Sequence, residues 1–388
     1  MSDQQLLEET EAYKNFINSI DSDATKESYR KTFPYFMRFC KKTSYDDMLR
    51  FDKITLEGLL RDYIVHLRHN KRLAPASVSL YIAAIAHFYE MNDVTINWKK
   101  LKKFKAKNRS VVEDRPYSRE QIKTLLDSCT LRDRAIILTM CSAGLRRGAI
   151  PNLRLRDIKK IEKYQLYSIN VYKKEQENYV TFCTPECANA IDQYLEYRQR
   201  QGEKLQPNSP LFRTIFDPIL QANRPYPINS QLIATMIQKQ LDASGVRAPS
   251  EIKQRSELMQ THGFRKYFKT TCINSGVNPL YSEYVMEHRS GLTKSYFKPS
   301  DMELLEGNDK ALGYLAAIND LTINEEYRLT NKVTELQFEN DQIMELERRH
   351  KKDLEAVQNQ MAQMMQMIRH NPKLAHVKQE SLIKKSIT

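Results

Sequence analysis

Six side chains between positions 146 and 296 add up to a metal-free phosphoryl-transfer set: Arg146, Lys174, His262, Arg265, His288 and Tyr296. Tyrosine is a poor nucleophile at neutral pH. Its reference pKa is ~10, so ionising it at pH 7 costs on the order of 4 kcal/mol, and nearby cations lower that cost. Two arginines can grip the non-bridging oxygens of a phosphodiester and stabilise the pentacoordinate transition state. A lysine can protonate the departing 5′ oxygen. The product is a phosphotyrosine ester that stores the energy of the broken bond, so neither nucleotide cofactor nor metal is required.

Taken singly, none of these signals is specific. Arg146 lies in Ser142-Ala-Gly-Leu-Arg-Arg-Gly-Ala-Ile-Pro, where the glycines and Pro151 interrupt a helix and put the guanidinium at a bend; the bland reading is a surface arginine near a turn. Lys173 and Lys174 follow Tyr167, Ile169 and Val171 and precede Tyr179, Val180 and Phe182. That alternation on both sides of a polar run predicts a β-hairpin. A lysine on such a tip is usually solvated, and it can also enter a DNA groove as a mobile proton donor. His262 and Arg265 are three apart and share one face of a helix, expected to point outward while Phe264, Tyr267 and Phe268 face the core. A random His-x-x-Arg is common. His288 precedes Tyr296 with Gly291 between them. One uninterrupted helix is therefore disfavoured, which leaves Tyr296 on a short, adjustable element. Most tyrosines are simply packing residues.

The elements that must position these groups are mostly helical. Residues 1–98 read as a helical domain. It has one helix from Ala24 to Lys42 that Pro34 should break or kink, one over Thr55–Asn70 with Thr55 as the cap, and one after Pro75. Residues 99–114 read as a basic linker containing Lys99, Lys100, Lys102, Lys103, Lys105, Lys107 and Arg109, with no acid between Lys99 and Val112. Residues 115–328 form the second domain, with a helix start at Ser118, an apolar helix over Ala135–Met140, the hairpin, and helices again from Ala188. Pro and Asn between Pro207 and Pro227 mark an irregular connection. From Leu329 a 3,4 repeat runs through Val333, Leu336, Asn340, Ile343, Glu347, His350, Leu354, Val357, Met361, Met364 and Ile368. It predicts a helical or coiled-coil extension over 329–370, followed by a basic tail over 371–388. A single charged helix folded back on its own domain accounts for the same pattern.

Composition narrows the class. The chain has 388 residues, 61 basic and 48 acidic, for a formal charge of +13, which hints at a polyanionic partner. Only 10 glycines argue against Gly-rich dinucleotide folds, and there is no G-x-G-x-x-G or P-loop string. A mean hydropathy of −0.63 argues against a polytopic membrane protein. The acidic N-terminus is unlike a signal peptide. Six cysteines do not form a disulfide framework, and Cys183 and Cys187 lack a second pair to complete a zinc site. Reduced cysteines in a cytoplasmic protein, with no metal site, are the expectation.

In the order Arg, Lys, His-x-x-Arg, His, Tyr the chain resembles the tyrosine recombinase (phage integrase) family, and most of all integrases of archaeal mobile elements. The segments are Ala143-Gly-Leu-Arg-Arg-Gly-Ala-Ile-Pro-Asn-Leu, Val171-Tyr-Lys-Lys with Tyr179-Val-Thr-Phe, His262-Gly-Phe-Arg-Lys, His288-Arg-Ser-Gly-Leu-Thr-Lys-Ser-Tyr-Phe-Lys-Pro, and Leu321-Thr-Ile-Asn-Glu-Glu. The likeness is strong over Arg115–Leu329 and looser over the N-terminal helices. It implies a mainly α two-domain clamp with a small β-hairpin or sheet in the catalytic domain. Arg146 and Arg265 match the phosphate-binding arginines, His262 the residue that helps activate the tyrosine, His288 a hydrogen-bond donor to the phosphate, and Tyr296 the nucleophile. Lys174 matches the hairpin lysine, with Lys173 as its understudy. It also implies double-stranded DNA with specific attachment sites as partner, a tetramer on DNA, a nucleoid-associated location, no cofactor, and phosphate contact by the basic linker.

Two departures stand out. Ala149 sits where many members carry an acid, and Glu287 where many have Gly before the second His. Three other functions compete. A type IB topoisomerase uses much the same residues. A DNA-binding coiled-coil protein that has lost catalysis is suggested by Ala149. A metal nuclease lacks a carboxylate cluster, since Glu303, Glu306 and Asp309 read as an exposed helix face.

Overall fold

The structure is a computed structural model. It describes residues 10–105, 114–172, 178–247, 257–288 and 296–370, side chains at 331, 334, 335, 338, 339, 341, 342 and 367–370 excepted. The chain divides into two compact units, Met1–Val111 and Val112–Thr388.

The first unit is helical: α1 (Glu11–Asn18), α2 (Asp23–Phe39), α3 (Lys53–His69) and α4 (Pro75–Glu90). Thr10 and Ser22 cap the first two helices through their side-chain oxygens. The cap of α3 is Asp52, which accepts from the backbone N–H of Ile54 and Thr55 at 3.0 Å; Thr55 lies inside the first turn. An ionised carboxylate complements the helix N-terminus better than a hydroxyl does, which is why the cap falls three residues before Thr55. Nor does Pro34 break α2, which runs through it. An internal proline costs roughly 3 kcal/mol. Phe33, Phe36 and Met37 are all buried around it, each worth roughly 1.5–3 kcal/mol, so packing outweighs the lost hydrogen bond. The core is aromatic, with the Phe33 and Phe88 rings 4.3 Å apart.

Part of the basic stretch belongs to this body. Trp98–Leu101 form one helical turn and Lys102–Phe104 a 3-10 turn. Leu101 is buried, with Trp98 and Phe104 packed on the same core. Lys99, Lys100, Lys102 and Lys103 are thus exposed on a folded surface and Lys105 is half-buried. Lys107 and Arg109 lie outside the described residues.

The second unit is built on α6 (Leu131–Ala143), whose Ala135–Ala143 are all buried. It packs against α7 (Pro185–Arg200) and α9 (His262–Asn274). Ahead of it, α5 (Arg119–Asp127) starts with a reciprocal Ser118–Gln121 capping box. The expected hairpin is present as β2 (Leu166–Val171) and β3 (Tyr179–Phe182), pairing Ile169 with Thr181 and Val171 with Tyr179. It is extended by an antiparallel β1 (Ile158–Ile161), whose Ile-Lys-Lys-Ile is too short to show alternation. α7 begins at Pro185, one residue past its Thr184 cap, slightly ahead of the expected start. The irregular 207–227 stretch is pinned by two buried arginines that share Glu203. Arg198 donates to the carbonyls of Pro210 and Leu211, and Arg213 to those of Gln221 and Ala222.

α8 (Ser230–Ser244), α10 (Pro279–Val285), α11 (Asp301–Glu306) and the β4–β5 hairpin (Gly307–Asn308, Ala311–Leu312) complete the body. Asp309 sits in the turn of that hairpin rather than on the helix with Glu303 and Glu306. The last element is α12 (Glu325–His370), 46 residues long. Leu329, Val333, Leu336, Ile343, Leu354, Val357, Met361 and Met364 along it are each more than half exposed.

All six cysteines are unpaired. Among the described residues no group of His, Cys, Asp or Glu is arranged to hold a metal ion, and no helix is long and apolar enough to cross a membrane.

Candidate active site

α6 stops at Gly144, which takes the left-handed conformation at φ 61°. A Cβ there would meet Cδ1 of Phe268 on α9 at 2.6 Å, so both backbone and space demand glycine. The turn that follows is closed by the Ala149 N–H donating to the Arg146 carbonyl at 2.9 Å. It is anchored by buried Leu145, Ala149 and Ile150, and Arg146 projects from it with its side chain 39% exposed.

Arg265, one turn into α9, does not face outward with His262 as its spacing suggested; it is 4% exposed. The helix starts at His262, so that residue emerges at an end while Arg265 points into the body. There it finds acceptors: its guanidinium donates to the Gly144 carbonyl, to the Met286 carbonyl at 3.2 Å, and faces His288 Nε2 at 2.9 Å. Burial and then Arg146 depress the Arg265 pKa, two penalties that a bound anion relieves.

His288 is held between partners, with Nδ1 3.2 Å from a Glu283 carboxylate oxygen. Lys269 clamps the other oxygen of Glu283 at 2.6 Å. Burial, then Arg265, lower the His288 pKa, and Glu283 opposes them. A neutral ring donating from Nδ1 to Glu283 and accepting at Nε2 from Arg265 satisfies all three groups.

Glu287 occupies the space between these groups. Its carboxylate is on the Arg146 guanidinium, and its backbone carbonyl accepts from the same guanidinium at 3.2 Å. Burial pulls the Arg146 pKa down, but the hydrogen bond and charge of Glu287 outweigh it and raise it. Glu287 has φ 55°, a left-handed backbone that costs an L-residue roughly 1–2 kcal/mol. At the start of β3, Tyr179 is 3% exposed and its hydroxyl has no hydrogen-bond partner among the described residues. Burial drives its pKa up, while Arg265 and Arg146 pull the other way.

The structure therefore brings Arg146, Arg265 and His288 together. His262 lines a cavity of about 740 Å³ next to Arg147, Arg247, Gln238 and Gln260. Tyr296 is 84% exposed, and no described contact joins it to the arginines. Its neighbour Phe297 stacks on Tyr281 at 5.8 Å and meets Tyr284 at 6.2 Å, which ties this stretch to α10. Lys173 and Lys174 lie outside the described residues, in the sequence between β2 and β3. Tyr314 is no rival nucleophile: it is 1% exposed, its hydroxyl donates to the Ser142 carbonyl at 3.0 Å, and burial holds its pKa far up.

Sequence reasoning missed Glu287 on Arg146, the buried Tyr179 hydroxyl, and Arg147 and Arg247 in the lining of the His262 cavity. An acid directly before His288 was visible as an oddity, but its partner was not. Tyr179 was indistinguishable from other strand aromatics.

Gly144→Ala is expected to lose several kcal/mol of stability, because strain at a positive φ adds to the overlap with Phe268. It also shifts the carbonyl that holds Arg265. A fall of several degrees or more in thermal midpoint, measured by calorimetry, checks this; an unchanged midpoint contradicts it.

Residues 117–303 match the family model described as "Phage integrase family". The chain is 22% identical over 321 residues to the tyrosine recombinase XerC of Leptospira interrogans, covering 78% of this chain and 93% of that one. A solved structure of a lambda integrase dimer bound to a COC' core site aligns with a TM-score of 0.50 at 11% identity, over 74% of this chain and 95% of that one. A crystal structure of XerA recombinase aligns at 21% identity with a TM-score of 0.36, over 76% and 96%. Residues 117–303, just under half of the chain, are thus similar to the phage integrase family, and the curated relative is a tyrosine recombinase.

Proposed function

We propose that the chain cuts and rejoins DNA strands through a 3′-phosphotyrosine intermediate on Tyr296, integrating or excising a mobile element. It is a tyrosine-type site-specific DNA recombinase. The observation that carries the chemical reading is the convergence of Arg146, Arg265 and His288 from three separate segments onto one spot. Two cations and a neutral imidazole suit a phosphodiester. In this reading the arginines bind its non-bridging oxygens, His288 donates to one of them once DNA is seated, His262 helps deprotonate Tyr296, and Lys174, with Lys173 behind it, protonates the leaving 5′ oxygen. The test is a nicked suicide duplex: the trapped protein–DNA adduct should map to the peptide carrying Tyr296.

The partner is double-stranded DNA with specific attachment sites. Exposed Lys99, Lys100, Lys102 and Lys103, with Lys105, Lys107 and Arg109, contact its backbone, so affinity falls steeply with salt. The domain limits are those read from sequence, with 1–98 as the DNA-binding domain, 99–114 as the basic connection and 115–328 as the catalytic domain. The five motif segments, Leu321-Thr-Ile-Asn-Glu-Glu among them, support kinship with archaeal mobile-element integrases, and a cytoplasmic, nucleoid-associated location follows from the substrate.

Solved relatives include a lambda integrase tetramer bound to a Holliday junction, and the proposed working form here is likewise a tetramer on DNA. The exposed apolar stripe of α12 supports a coiled coil between copies over 329–370. Asn340 falls at a core position where a facing Asn fixes register. Removing residues 330–388 is expected to lower the order of assembly in solution by analytical ultracentrifugation; identical sedimentation with and without the segment rules the coiled coil out.

A further inference from the structure

We infer that the Glu287 carboxylate is an internal stand-in for the DNA phosphate: it fills the seat of Arg146 in the DNA-free chain and is exchanged for the scissile phosphate on binding. This deepens the proposed function, on which it rests. Three independent features of the site lead to it.

The first is the pairing itself. Among the described residues Glu287 is the sole carboxylate in contact with either arginine of the site, and it satisfies Arg146 twice, through its side chain and its own carbonyl. Its side chain is only 13% exposed while that of Arg146 is 39% exposed, so the carboxylate is largely covered and the guanidinium can still be reached from solvent. A phosphodiester bound to the same guanidinium brings a second negative charge to within a few ångströms. Both anions cannot be held there without strong repulsion.

The second is the backbone. Glu287 follows α10 and sits at φ 55°, between Met286, whose carbonyl accepts from Arg265, and His288, whose ring faces Arg265. An L-residue is held in this conformation only by its surroundings. Here it closes the C-terminus of α10, its N–H bonded to the Tyr284 carbonyl at 3.0 Å and the His288 N–H to the Glu283 carbonyl at 2.9 Å, a common left-handed helix end to which the Arg146 contacts are added. Giving up the side-chain contact frees the carboxylate to turn outward while the Met286 and His288 contacts with Arg265 persist.

The third is a donor left waiting. Among the described residues the Tyr179 hydroxyl is buried without a partner, within electrostatic reach of the same arginines and Glu287. A buried hydroxyl lacking an acceptor is uncommon and calls for an explanation. A phosphate has two non-bridging oxygens and more acceptor sites than one carboxylate, so the exchange supplies Tyr179 with the acceptor it lacks. Glu287 is thus a positioning residue. It keeps Arg146 aimed in the empty site and yields to the substrate.

The test uses the full chain and inorganic phosphate, titrated by calorimetry. Glu287→Gln removes the charge and keeps the shape, and is expected to bind phosphate about tenfold more tightly than wild type, equivalent to about 1.4 kcal/mol. Glu287→Gly accepts φ 55° without strain and should tighten binding likewise, which covers a Gln variant that fails to fold. Adding Tyr179→Phe to Glu287→Gln should weaken phosphate binding several-fold. With nicked duplex DNA, Glu287→Gln should lower the half-saturating DNA concentration for adduct formation. The proposal is overturned if phosphate affinity is unchanged or weaker in both Glu287 variants, if Tyr179→Phe has no effect on it, or if half-saturation stays put. Phosphate titration needs no tyrosyl chemistry. A chain that forms no adduct therefore refutes the proposed function while leaving this exchange separately readable.

Discussion

Tyr296→Phe is expected to bind duplex DNA within a few-fold of wild type and to form no covalent adduct at all. The substitution removes one oxygen from a side chain that is 84% exposed and makes no described contact with the body, so it should leave fold and stability unchanged. Phe297, not Tyr296, anchors the local chain through its stacking on Tyr281, and that anchor is untouched. In the proposed mechanism, by contrast, catalysis depends on the missing atom: without the phenolic oxygen no ester can form on this residue. The measurement is denaturing electrophoresis of protein incubated with a nicked suicide duplex, alongside a gel-shift titration. An adduct that persists in the variant places the nucleophile elsewhere. Tyr314 cannot take over, because its hydroxyl is buried and committed to the Ser142 carbonyl.

Much of the architecture could be read in the residues, because helices advertise themselves through periodic apolar positions and caps. Ser118 starts a helix where its chemistry favours it, whereas Thr130 and Thr184 cap helices that begin a few residues before the stretches read from apolar positions. The errors have physical causes. Pro34 was given the authority of an isolated helix breaker, but aromatic burial on both sides of it decided the matter. Thr55 looked like a cap until Asp52, a stronger acceptor just upstream, took that role. β1 is four residues long with two lysines in its middle, and its strand character comes from pairing with β2. At the site, sequence could nominate Arg146, Arg265 and His288 but not their orientation. Arg265 was expected on an outward face because its helix neighbours Phe264 and Phe268 are apolar. It is buried because three acceptors, the Gly144 and Met286 carbonyls and the His288 ring, come from chain segments far away in sequence. The Glu287–Arg146 pair, spanning 141 positions, was illegible for the same reason.

The two arginines should fail in different ways. Each, replaced by Ala, is expected to lose two to three orders of magnitude in single-turnover cleavage, by analogy with the ~3–4 kcal/mol that a lost oxyanion donor costs. Among the described residues Arg146 has one partner, Glu287, and it is 39% exposed, so Arg146→Ala should leave the thermal midpoint within a few degrees of wild type. Arg265 is 4% exposed and satisfies two backbone carbonyls and the His288 ring. Arg265→Ala leaves those acceptors buried and unpaired, at roughly 1–3 kcal/mol each, and opens a cavity besides. Its thermal midpoint should therefore fall markedly along with its rate. Arg265→Lys tests geometry directly: one ammonium has the charge but not the planar fork that reaches Gly144, Met286 and His288 at once, so stability should recover only in part and the rate should stay low. Equal losses of stability in Arg146→Ala and Arg265→Ala, or full rescue by lysine at 265, would mean that the guanidinium of Arg265 acts as a simple charge and not as the strut that joins α6, α9 and the His288 segment around the phosphate.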